Sequence, residues 1–197
     1  MGTKEKKDKI KEGIEKYLKI KDLYSTTNFD VNNDFAKKFA TFYRVRRNKK
    51  WRETFFKLFA EIKSGSVSAD FKTILEKLKE NTHRIEASFA SKMLHTLDND
   101  SPIWDKKVVD FLVKKGVIER PKPYGDKRLK ERIKTFQDIK EWYKNKSNIQ
   151  PLVDYFNQNY KTGRSDEISD EKKADFIIWG LDLDKVLEIA DSTPAGV

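Results

Sequence analysis

Residues 90–112 read ASKMLHTLDNDSPIWDKKVVDFL, and within them Asp105 has both the type and the setting for chemistry. Ile85, Phe89, Ala90, Met93, Leu94 and Leu97 recur at intervals of three and four, the mark of one buried helix face. Asp98, Asn99, Asp100 and Ser101 break that pattern, and Pro102 forces its predecessor out of helical geometry. Asp105 then stands just before the apolar set Val108, Val109 and Leu112, where an N-cap belongs, and Gly116 is the expected stop of the helix it opens. A carboxylate there accepts backbone N–H bonds at the positive end of the helix dipole, so it stays an anion at neutral pH. A fixed anion of this kind acts far more strongly in a water-excluded pocket than in water. A plain capping role needs only the same short oxygen-bearing side chain, and the two roles are compatible.

This segment resembles the core of the helix-hairpin-helix DNA glycosylases of the endonuclease III type. Ala90, Leu94 and Thr96 match positions of the family's helix, and Asp105 falls on its catalytic aspartate. The resemblance covers about a quarter of the chain in detail. It implies an all-α fold of two helical lobes with a cleft between them, acting on double-stranded DNA that carries a modified or damaged base. In that mechanism the aspartate stabilises the positive charge that develops on the sugar as the base departs, and helps place the attacking water. The family's hairpin glycines fall on Arg84, Ile85 and Glu86, and its Schiff-base lysine falls on Ser88, which implies a monofunctional enzyme. Lys92, one helical turn beyond Ser88, is an auxiliary candidate for the same space, and Trp104, beside Asp105, is a candidate for stacking on an extruded base. A weaker similarity links the chain to prokaryotic antiviral-defence glycosylases that attack bulky modified bases in viral DNA.

A second constellation is electrostatic. Arg44, Arg46, Arg47, Lys49, Lys50 and Arg52 place six cations within nine residues, a density that reads as a phosphate-facing loop between two aromatic helices. By the same resemblance, the corresponding loop wedges a polar side chain into the duplex, and Asn48, with Arg46 or Arg47, is the candidate. The expected DNA-binding set is thus Arg46, Arg47, Asn48, Lys49, Lys50, Arg84 and Ser88.

Composition agrees with a polyanionic partner without requiring one: 42 Lys and Arg against 32 Asp and Glu give a formal charge of +10 and a pI near 9.5. Zero cysteines exclude disulfides, thiolate metal sites and the iron–sulfur cluster of some glycosylases, and His83 and His95 alone make a poor zinc centre, so no cofactor is expected. His95 follows Leu94 and reads as a partly covered structural residue. No run of eighteen apolar residues and no signal-like segment is present, which predicts a cytoplasmic protein away from the membrane; a monomer is the simplest state.

The elements that must position these residues are helical throughout. Ile10, Ile14, Tyr17 and Leu18 mark a first helix; Phe35, Phe39, Phe42 and Tyr43 a second; Trp51, Phe55, Phe56, Phe59 and Ile62 a third. Ser66 or Ser68 is the expected cap of a helix through Phe71, Ile74, Leu75 and Leu78. After an irregular connector with Pro121, Pro123 and Gly125 come two more stripes, then an apolar cluster over 174–179 that reads as a buried terminal helix. No alternating pattern persists long enough for a sheet, so the class is all-α with nine or ten helices in one domain, its approximate lobes 30–120 and 1–29 with 121–197. The competing functional class is a non-enzymatic helical DNA- or RNA-binding protein in which Asp105 only caps its helix.

Overall fold

The computed structural model describes residues 3–27, 34–122 and 128–192, and these are helical without a strand, as the periodicity predicts. Among the described residues there are ten α-helices: α1 Thr3–Thr26, α2 Asp34–Phe42, α3 Lys49–Lys63, α4 Phe71–Thr82, α5 Ala87–Leu97, α6 Lys106–Lys114, α7 Arg128–Lys144, α8 Lys146–Tyr160, α9 Asp170–Gly180 and α10 Leu183–Asp191. A short 3-10 turn, Ser165–Glu167, precedes α9. Pro123 and Gly125 of the expected connector lie outside the described residues. The chain forms two compact units, one of Gly13–Leu97 and one of Met1–Glu12 with Asp98–Val197.

In the Gly13–Leu97 unit the core is aromatic. Phe35 and Phe39 of α2 meet Phe55, Phe56 and Phe59 of α3 largely edge to face, for example Phe35 on Phe59 at 5.5 Å and 82°. This is the arrangement the ring quadrupoles favour. Asn48 starts α3 by accepting from Trp51 N at 2.9 Å, so Lys49, Lys50 and Arg52 lie in the first turn of a helix and not in a loop as expected. Asp70, not Ser66 or Ser68, caps α4: it directly precedes the first buried residue, Phe71, and accepts from Thr73 N at 2.9 Å. His83 ends α4 in the left-handed region (φ 55°), and the Glu86 carbonyl accepts from Ala90 N at 2.8 Å as α5 begins. Ile85 therefore sits in the 83–86 connection, outside the helix on which its spacing placed it. α4 and α5 pack together as a helical hairpin about that connection.

In the other unit the end of α6 is a Schellman motif: Gly116 N bonds the Val113 carbonyl at 3.0 Å, Val117 N bonds the Leu112 carbonyl at 2.9 Å, and Gly116 takes φ 71°. α9 is buried almost all round and packs against α8 and α6. Its last residue, Gly180, admits Ile10 of α1, whose Cγ1 would lie 2.2 Å from any Cβ added there. The apolar cluster over 174–179 is thus α9, but it is not the final helix: α10 follows, with Val186 and Ile189 buried.

Candidate functional site

Asp105 is the N-cap of α6, as its position in the sequence predicts. Its backbone is extended (φ −133°, ψ 176°), and its Oδ1 accepts from Lys107 N at 2.8 Å and Val108 N at 3.0 Å. Asp105 is half-buried, and its second carboxylate oxygen accepts no hydrogen bond from the described residues. One oxygen therefore satisfies the helix while the other is available, which makes cap and fixed anion the same side chain.

The turn before it is held by side-chain hydrogen bonds and by burial. Asp98 accepts from Ser101 Oγ at 2.7 Å and from Asp100 N at 3.2 Å, an Asx turn that closes the DNDS break. Ser169 Oγ donates to the Asn99 carbonyl at 2.7 Å, and Ser101, Pro102, Ile103 and Trp104 are all buried. Trp104 is 7% exposed, with the Arg132 guanidinium over its ring at 5.5 Å. Stacking on an extruded base would require Arg132 to move. Burial draws the Arg132 guanidinium below its ordinary value.

Behind this turn lies a polar group that sequence spacing does not reveal. Among the described residues the buried Tyr143 hydroxyl has no hydrogen-bond partner; burial pushes it well above the ordinary phenol value, and the negative charges of Asp175, Asp105 and Glu171 add to that. Lys172 and Asp175, both on α9 and both buried, pair at 2.6 Å. A polar groove of about 680 Å³ in the same unit is lined by Asp98, Asp100, Lys140, Lys144, Lys146 and neighbours; Lys146 there is held by Glu171 at 3.1 Å.

No family model, curated protein or solved structure matches this chain. Among the described residues no group of His, Asp and Glu gathers as a metal site, and no helix is long and apolar enough to cross a membrane.

The remaining candidates belong to the Gly13–Leu97 unit. Arg44, Arg46, Lys49, Lys50 and Arg52 are exposed, and Arg44 takes a left-handed backbone (φ 51°) as α2 ends. Lys49 lies 3.8 Å from Glu53, a loose solvent-exposed pair. Arg47 differs from its neighbours. It is half-buried and forks onto Glu86, Nε to Oε1 at 3.0 Å and the second guanidinium nitrogen to Oε2 at 3.1 Å. Asn48, the other wedge candidate, is engaged as the α3 cap. Arg84 is exposed in the 83–86 connection. Lys92 donates to Ser88 Oγ at 2.8 Å and lies over the Phe89 and Tyr43 rings at 5.4 and 5.6 Å, so these two candidates do meet. His95 is more buried than expected: it is 1% exposed and shares a 3.1 Å hydrogen bond with Tyr17. Trp51 and Phe89 flank Arg47 at 5.9 and 5.4 Å, a role that the spacing of these aromatics in the sequence does not announce.

Proposed function

We propose that the chain is a monofunctional DNA N-glycosylase of the helix-hairpin-helix type, which extrudes a modified or damaged base and hydrolyses its bond to deoxyribose. The observation that carries this reading is Asp105: a half-buried carboxylate with one oxygen fixed by two backbone N–H groups and the other uncommitted among the described residues. In the reaction, the bond from the sugar C1′ to the base nitrogen breaks with its electron pair going to the base, the water oxygen adds to C1′, and the proton that the water gives up passes by way of Asp105 and solvent to the base nitrogen. Asp105 stabilises the positive charge on the sugar and accepts the proton of the water. The α4–α5 hairpin and the exposed cations of 44–52 supply the duplex contacts of the reading, with Arg46, Lys49, Lys50 and Arg84 facing phosphate. Ser88 in place of a nucleophilic lysine supports hydrolysis over strand nicking, with Lys92 as the auxiliary amine. Repair and antiviral defence are both settings for such chemistry.

The test is mass spectrometry of small molecules released from DNAs bearing different base modifications. Release by the wild type, lost in Asp105→Asn with duplex affinity kept, is the expected result. A second reading, a non-enzymatic helical nucleic-acid-binding protein in which Asp105 only caps its helix, is favoured by the two backbone N–H bonds to Asp105 Oδ1, which a plain cap makes. Equal duplex binding by both proteins, with no base released by either, would establish it.

A further inference from the structure

Charge density alone does not explain the Arg47–Glu86 pair. Of the six cations from Arg44 to Arg52, five are exposed and Arg47 turns inward onto a carboxylate that is 8% exposed. A carboxylate so buried needs a partner, and the two parallel bonds from Arg47 are the strongest form a guanidinium offers. The same guanidinium lies over Phe89 and Trp51, which fixes its plane. Val45 beside it is buried, and Asn48 just after it caps α3. The backbone from Val45 to Asn48 is thus held at three closely spaced points, and Arg44, Arg46, Lys49 and Lys50 emerge from it in a set geometry.

We propose that Arg47 is a positioning residue for polyanion binding: clamped on Glu86, it touches no phosphate, and it holds Arg44, Arg46, Lys49 and Lys50 as one rigid cationic edge against a nucleic-acid backbone. The proposal rests on the nucleic-acid reading above. Cations held in place bind without the ordering cost that a loose segment pays, so releasing the clamp weakens binding even where net positive charge rises.

That sign is the test. Glu86→Gln removes a negative charge, and charge alone would make binding tighter; the clamp makes it weaker, by roughly fivefold, because a neutral amide gives Arg47 no second charged bond. Arg47→Lys keeps the charge, loses the fork and weakens binding similarly. Both are measured with the full chain on a short fluorescent duplex and single strand from about 50 to 200 mM salt, beside Lys50→Ala, which lowers the salt slope by about one. Weaker binding and a shallower slope in both variants, measured well below their melting temperatures, is the expected outcome. Equal or tighter binding by Glu86→Gln overturns the proposal and leaves the nucleic-acid reading standing. Should Glu86→Gln fail to fold, Arg47→Lys decides, and unchanged affinity overturns the proposal. Failure of the wild type to bind either probe at low salt removes both.

Discussion

Lys107 Nζ donates to the Trp179 carbonyl at 2.5 Å and to the Leu181 carbonyl at 3.2 Å, which ties the turn of α6 that Asp105 caps to the end of α9. Carbonyls at a helix end lack intrahelical donors and carry the negative end of the dipole, so an ammonium there serves both. Lys107→Met, which keeps the aliphatic stem, is expected to cost about 1 kcal/mol in urea unfolding. An unchanged midpoint would mean that the contact contributes nothing to stability.

Asp105 separates structure from chemistry under substitution. Asparagine caps helices about as well as aspartate, so Asp105→Asn is expected to match the wild type within a few tenths of a kcal/mol, whereas Asp105→Ala loses about 1 kcal/mol. If the carboxylate serves as the fixed anion, both variants lose base release by about 100-fold or more. Denaturation and product release measured on the same samples decide. An active Asp105→Asn would leave the residue a cap only.

Asp110 bridges Lys106 and Arg120, at 2.5 and 2.7 Å, and the hydrogen bond from Lys106 holds its carboxyl below the ordinary value of 3.8, with Arg120 adding to the effect. The folded pKa is the lower one, so the unfolded chain binds the extra proton as pH drops. The stabilisation is present above about pH 4 and is lost as pH falls through the folded value. Asp110→Asn is expected to cost about 0.5–1 kcal/mol at neutral pH and to flatten the fall in stability below pH 4. Parallel acid limbs for the two proteins would contradict this.

What could be read from the sequence was what is settled locally. Asp105 and Gly116 stand out because a cap and a left-handed stop act across three or four residues, and the aromatic faces of α2 and α3 because 3.6-residue spacing is a local property. At the start of α3 the density of cations masks the Asn48 cap in the sequence. α10 is hard to see there because its buried stripe is short and set among charges. The Arg47–Glu86 fork spans 39 residues and the Tyr17–His95 bond 78, and no periodicity announces pairs that only tertiary packing brings together.

The buried pair on α9 is the sharpest stability test. Lys172 is 3% exposed and Asp175 5%, and they meet at 2.6 Å with the ammonium over the Phe176 ring at 4.5 Å. Removing one partner takes a 2.6 Å ion-pair bond from a buried charge; removing both removes the need for that bond. Lys172→Met is therefore expected to cost about 3 kcal/mol, and Lys172→Met with Asp175→Leu to recover most of that loss. Chemical denaturation of the two single variants and the double variant gives the coupling directly. Additive losses would show that the two charges act independently. Recovery would show that this ion pair adds little stability over apolar packing at the same positions.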